Sequence, residues 1–177
     1  MSNLMKNWGE STDIYANIFN KYKNNNTIFV ETGTHLGSSV RRALGVGYER
    51  ILSVEPFDQD YLHCKNLFKD NPQVSLFHGY SEDLFSKMMD IVTAPATIFL
   101  DAHTNSWFKE GTMPLAHELS VLQSHPIKNH TIIVDDYEHG CGISCVSEII
   151  KIINTINDNY RFEAIRRQNG ILVAHLT

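Results

Sequence analysis

Short runs of β-branched and aromatic residues alternate along the chain with longer segments whose apolar positions recur at helical spacing. The runs at 27–31, 51–55, 74–78, 97–101, 131–135, 160–166 and 171–175 predict strands, and the segments at 38–44, 58–68, 82–89 and 114–123 predict helices between the first five. Strand and helix in turn build a parallel sheet covered on both faces, because each parallel connection must cross over the sheet. After the fifth strand, 144–156 carries Val146, Ile149, Ile150, Ile153 and Ile156 at helical spacing. Arg167, Gln168, Asn169 and Gly170 then separate the last two runs, and Asn-Gly in that setting predicts a tight antiparallel hairpin. The expected fold class is α/β: a mostly parallel sheet of seven strands with helices on both faces, closed by a C-terminal hairpin. Ahead of it, Ser11, Thr12 and Asp13 are candidate caps for a helix carrying Ile14, Ile18, Phe19 and Tyr22, followed by a polar linker at 23–26. That helix reads either as a lid or as a packing helix.

Composition narrows the partners more than the fold. A chain of 177 residues, 42% hydrophobic, fits one domain over 1–177, with 1–26 as its N-terminal helix and linker. A net charge of −5 with scattered Lys and Arg leaves no electrostatic footprint for nucleic acid, so no such partner is expected. The three cysteines, Cys64, Cys141 and Cys145, lack metal-ligand spacing and read as buried thiols of a reducing compartment. The first residues offer no apolar signal segment, and no run approaches the roughly 18 apolar residues of a membrane span. A soluble, cytoplasmic protein without a membrane partner is the expectation.

Chemistry concentrates at the strand ends. TIFVETGTHLGS at 27–38 ends a buried run on an acid and turns through glycines into a helix, the layout of a nucleotide-type cofactor site. Gly33 and Gly37 suit a ligand lying against the main chain, and Thr34 and Ser38 stand in the same turn. The acid at Glu31 favours a ligand with a cationic or hydroxyl-rich part over a pyrophosphate. Glu55 follows at close to the interval of about 20 residues at which an acid on the second strand grips a ribose diol. A carboxylate accepts both hydroxyl protons at once; a solvated acid ahead of Pro56 is the alternative. Asp101, Asp135 and Asp136 continue the series, and so many carboxylates along one edge require hydrogen bonds or a cation to coexist.

Taken in order, these segments resemble the class I S-adenosylmethionine-dependent methyltransferases over nearly the whole chain. VETGTHLGSS resembles the first motif of that family, ILSVEP the second, FHGYSEDL the third and IFLDAH the fourth. The resemblance implies a Rossmann-like class I methyltransferase fold. It also implies S-adenosylmethionine held by Glu31, Gly33, Thr34, Gly37, Ser38, Glu55, Ser81 and Asp101. Two positions depart from the pattern: His35 stands where the family has its middle glycine, and Tyr80 where an acid commonly meets the adenine. IFLDAH with IIVDDY further resembles metal-dependent O-methyltransferases of the catechol and macrocin types, which implies magnesium on Asp101, Asp135 and Asp136. Helix capping by one aspartate and solvation of the other is the alternative for that pair.

The implied reaction is methyl transfer to a hydroxyl of a small molecule, with Asp101, His103 and Asp135 as catalytic candidates. His103 titrates in the right range for a base, or serves only to orient Asp101. The insertion at 104–113, with Trp107 and Phe108, closes over an acceptor or fills an interface with a second copy in a homo-oligomer. A domain that binds the cofactor without transferring anything, or another reaction on the same scaffold, are the alternatives.

Overall fold

The computed structural model describes residues 5–6, 13–102, 114–138 and 146–177. In chain order these form β1 (Met5–Lys6), α1 (Ile14–Tyr22), β2 (Ile28–Thr32), α2 (Ser38–Val46), β3 (Arg50–Glu55), α3 (Asp58–Leu67) and β4 (Val74–His78). There follow α4 (Ser81–Asp90), β5 (Ala96–Leu100), α5 (Pro114–Ser124), β6 (Thr131–Val134), α6 (Val146–Ile156), β7 (Arg161–Ile165) and β8 (Ile171–His175). The strands make one sheet in the order β1-β7-β8-β6-β5-β2-β3-β4. All neighbours are parallel except β8, which runs antiparallel to both β6 and β7.

Every expected strand and helix is present, with ends moved by a residue or two, and the C-terminal hairpin pairs Ile165 with Ile171. Its turn places Gln168 and Gly170 at positive φ, +29° and +80°, which is why glycine follows asparagine there. One element was not expected: β1 adds an eighth strand beside β7, with Met5 opposite Ala164. Two residues carry no period, so the sequence holds no signal for it.

Strand alternation sorts the core into two layers. Val30, Leu52, Ile98, Leu100 and Val134 pack with Phe85, Met88, Leu115, Leu119, Ile149 and Ile153, the apolar stripes of α4, α5 and α6. Phe29, Ile51, Phe99 and Ile133, one step out of phase, pack with Ile18, Phe19, Val40, Cys64 and Phe68 on the side of α1, α2 and α3. The first helix is therefore a packing helix: Ile18 and Phe19 are fully buried, and the Asp13 carboxylate caps it by accepting from the Ala16 N–H at 3.1 Å. Ser11 and Thr12, the other candidate caps, lie outside the described residues. Among those residues no helix is long and apolar enough to cross a membrane.

The same alternation decides where the strand-ending acids go. Continuing the phase of Phe29, Ile51, Phe99 and Ile133 puts Glu31, Ser53, Glu55, Asp101 and Asp135 all toward the first-helix side. The registers Thr32 to Val54, Thr32 to Leu100 and Leu100 to Val134 bring the ends level. Glu55, Gly33, Asp101 and Asp135 consequently follow one another across a single edge.

Candidate functional site

The turn after β2 is held to its neighbours by backbone. The N–H groups of Gly33 and Thr34 both donate to the Val54 carbonyl, at 3.0 and 3.1 Å, so the chain leaves β2 bent over β3. Gly33 has φ +87°, and a Cβ there would lie 2.4 Å from the Asp101 carbonyl oxygen; no side chain fits. Gly37 at φ +74° begins α2, where a Cβ would meet the Phe68 ring at 2.6 Å. His35, which occupies the family's middle-glycine position, also takes a left-handed backbone, φ +46°. Its N–H donates to Glu55 Oε2 at 2.7 Å and its carbonyl receives the Cys64 thiol at 3.1 Å, so the surrounding bonds fix that conformation while the side chain stays exposed.

Glu31 is fully buried beneath this turn. Ser53 Oγ donates to its Oε2 at 2.6 Å, and since that uses the serine proton, the 2.5 Å contact between Thr34 and Ser53 is a donation from Thr34. Among the described residues Oε1 has no hydrogen-bond partner. Burial pushes the Glu31 pKa up to about 8, with Ser53 and Ser39 opposing and Glu55 adding to the rise. A cation at Oε1 would reverse that shift. Glu55, also buried, accepts from His35 N–H with one oxygen and from Phe57 N–H at 3.0 Å with the other. A carboxylate offers about four acceptor directions, so two remain for hydroxyl groups.

The Asp135 end of the edge is built around a residue that sequence reasoning missed. Tyr15, from α1, donates its hydroxyl to Asp135 Oδ2. Its ring meets Phe99 edge-on at 5.8 Å and lies between two guanidinium groups, Arg167 at 4.2 Å and Arg42 at 5.3 Å. Asp13 anchors Arg42 by bonds of 2.8 and 2.7 Å from its Nε, while Arg167 has a buried Nη1 with no partner among the described residues. Burial raises the Asp101 carboxyl well above the usual range, with the charges of Asp135, Glu31 and Asp136 adding to it. Burial also raises Asp135, and the Tyr15 bond opposes the rise.

The expected magnesium site finds no support among the described residues. Among the described residues no three His, Cys, Asp or Glu side chains form a group able to hold a metal ion. The backbone turns at Asp136 with φ +47°, and its N–H closes back on Asp135 Oδ1 at 3.0 Å while Tyr15 takes Oδ2. Each Asp135 oxygen thus accepts one hydrogen bond from the protein.

The other candidates divide. Ser38 is exposed at the start of α2, 3.4 Å from an Arg41 nitrogen. Ser81 is buried at the start of α4, its hydroxyl donating to Glu82 Oε2 at 3.4 Å. His103, Trp107, Phe108, His139, Cys141 and Cys145 lie outside the described residues. Glu118 was also missed, although an acid on the Leu115, Leu119, Leu122 stripe of α5 is a visible anomaly. It is 1% exposed, and burial raises its carboxyl to about 7, with the nearby Ser81 and Thr32 hydroxyls opposing the rise.

No protein-family model and no curated protein matches the sequence. Solved structures do match. An O-methyltransferase from Bacillus cereus, in complex with SAH, superposes with a TM-score of 0.66 at 12% identity, over 99% of this chain and 86% of that one. The O-methyltransferase TomG from Streptomyces achromogenes, in complex with SAM, gives 0.65 at 13% identity, over 93% and 78%. An rRNA methylase from Streptococcus thermophilus gives 0.59 at 10% identity, over 93% and 96%. At such identities the likeness establishes the Rossmann-like methyltransferase fold; it is shared by proteins named for different acceptors.

Proposed function

We propose that the chain binds S-adenosylmethionine at the Glu31 turn and transfers its methyl group to a hydroxyl of a small molecule at the Asp101–Asp135 edge. The observation that carries this reading is the Glu31 carboxylate, wholly buried under a glycine turn with one oxygen unpartnered. A buried carboxylate in that state calls for a positively charged hydrogen-bond donor, and the amino group of the cofactor's amino acid end is one. The two unused acceptor directions on Glu55 suit a ribose diol, and fold neighbours named as complexes with SAH and SAM support the same cofactor.

In the transfer, the acceptor oxygen forms a bond to the methyl carbon as the carbon–sulfur bond breaks, and the bonding pair stays on sulfur as S-adenosylhomocysteine forms. The proton released from the acceptor passes to a carboxylate, for which Asp135 is the assigned base and Asp101 its neighbour. Both groups hold protons more readily than an ordinary aspartate because they are buried together. Tyr15 orients Asp135 through its hydrogen bond, and the remaining work is alignment of two reactants. A net charge of −5 and an acidic edge favour an uncharged or cationic small molecule over an RNA acceptor.

Calorimetric titration with S-adenosylmethionine tests the cofactor, and an absence of binding overturns the reading. Incubation with a panel of small hydroxyl compounds then tests transfer by release of S-adenosylhomocysteine. Binding without product on any acceptor would favour a domain that only binds the cofactor.

A further inference from the structure

A groove of about 730 Å³ lies between α1 and α2, and none of the strand-ending acids lines it. Ala16 and Asn20 line it from α1, and Ser38, Arg41, Arg42 and Gly45 from α2. Its size suits a small molecule. In a chain of net charge −5, the charged lining is two guanidinium groups against the single carboxylate of Asp13.

Arg42 is built into place. Its Nε donates to both Asp13 oxygens, at 2.8 and 2.7 Å, and its guanidinium lies 5.3 Å from the Tyr15 ring centroid. The side chain is 28% exposed, so the group is held without being covered. Its two terminal nitrogens have no hydrogen-bond partner among the described residues, and a bidentate contact with an anion uses two such parallel donors. Arg41 Nη2 donates to Ser38 Oγ at 3.4 Å, which leaves the serine proton for a ligand. Gly45 supplies the space. A Cβ there would meet nothing within 4 Å, so no packing demands a glycine inside α2, where it weakens the helix.

We propose that this groove binds the phosphate group of a small phosphomonoester, held by the terminal nitrogens of Arg42, by Arg41 and by the Ser38 hydroxyl. Two guanidinium groups beside one carboxylate favour a ligand with more than one negative charge, and a phosphomonoester carries nearly two at neutral pH. The net charge of −5 opposes a polyanion that would extend past the groove. This site goes beyond the cofactor reading and does not depend on it.

The test compares thermal melts in about 20 mM inorganic phosphate with melts in sodium chloride of matched ionic strength, on the wild type, Gly45→Leu and Arg42→Lys. With a Kd of about 1 mM, phosphate raises the wild-type melting temperature by roughly 3–7 °C over chloride. Gly45→Leu fills the groove and Arg42→Lys exchanges the fork for a point charge, so each weakens binding by about tenfold or more and cuts the shift to less than about half. Gly45→Leu also melts at or above the wild-type temperature in chloride, which preserves the test if Arg42→Lys loses its hold on Asp13. Equal shifts in phosphate and chloride would leave only salt screening and overturn the proposal, as would an unchanged phosphate shift in either folded variant. Glycerol phosphate should stabilise the wild type at least as well as inorganic phosphate; a smaller shift means that the groove does not admit an ester, and overturns it too.

Discussion

The hydroxyl of Tyr15 donates to the carboxylate of Asp135 from 120 residues away in sequence, tying the first helix to the end of β6. The bond stabilises the ionised form of a carboxylate that burial pushes toward the neutral one. Tyr15→Phe deletes a hydrogen bond to a buried charged group, worth about 1.5–3 kcal/mol. For a chain of this size that lowers the melting temperature by roughly 3–12 °C. Without its donor, Asp135 takes a proton more readily in the folded state, so the variant's deficit grows as pH rises. Thermal melts at about pH 4 and about pH 8 check this. An equal deficit at both would mean that Tyr15 acts by packing on Phe99 rather than through Asp135. Cofactor affinity should be little altered, while methyl transfer falls.

Glu31 makes the turn after β2 a proton-linked one. Its folded pKa is raised to about 8 from an ordinary 4.5. The folded state therefore binds more protons than the unfolded state between those values, and stability is full below the lower and lost as pH rises through the upper. An ammonium placed at Oε1 would restore ionisation and release up to about one proton near neutral pH. Calorimetry of S-adenosylmethionine binding in buffers of different ionisation enthalpy reads that proton directly. Glu31→Gln should bind the cofactor poorly yet melt at a higher temperature than wild type in mild alkali. A binding enthalpy independent of buffer would remove Glu31 from the cofactor's amino group.

At the other end of the sheet, a histidine pair sets an acid limit on the fold. The Ala96 N–H donates to His130 Nδ1 at 3.1 Å, so the His130 proton is on Nε2 and is given to His125 Nδ1 at 3.1 Å. His125 Nε2–H is then the donor to the Met89 carbonyl, also at 3.1 Å. Every ring nitrogen has a fixed role, and a further proton on His130 has no acceptor. Burial, with the neighbouring His125 and Lys128 charges, lowers the His130 pKa to about 4. A histidine depressed in the folded state contributes stability that is present above its unfolded pKa near 6.5 and is lost as pH falls toward 4. The loss approaches about 3 kcal/mol over that window. Denaturant unfolding of wild type and His130→Phe at about pH 7 and about pH 4.5 separates the effect, since the variant should lose the dependence.

These relationships differ in how far the sequence announces them. The sheet is legible because strand alternation and helical spacing are local, and the same alternation carries Glu31, Glu55, Asp101 and Asp135 to one side once their strands align. Tyr15 and Arg167 are not legible, because their meeting depends on how α1 packs and how the hairpin turns, which no local period encodes. The magnesium expectation, which finds no support among the described residues, meets a similar limit. Neighbouring strand ends bring Asp101 and Asp135 close, yet the left-handed turn at Asp136 and the Tyr15 hydroxyl decide what the oxygens do. Glu118 lies between these cases: its misplaced polarity is readable on α5, its near-complete burial is not.

Glycines provide a paired test of how closely the edge is built. At Gly33 an added methyl would sit 2.4 Å from the Asp101 carbonyl oxygen, and φ of +87° strains any side chain, so β2 or β5 must shift where the turn and Asp101 meet. At Gly45, inside α2, an added methyl meets nothing within 4 Å. Alanine there removes unfolded-chain freedom and improves helix propensity by about 0.5–1 kcal/mol, raising the melting temperature by roughly 1–4 °C. Gly33→Ala should lower both the melting temperature and S-adenosylmethionine affinity, while Gly45→Ala raises the first and leaves the second unchanged. Thermal melts with and without cofactor compare the two. If Gly33→Ala melts lower but binds the cofactor as wild type does, the turn is structural, and the cofactor must be held elsewhere along the edge.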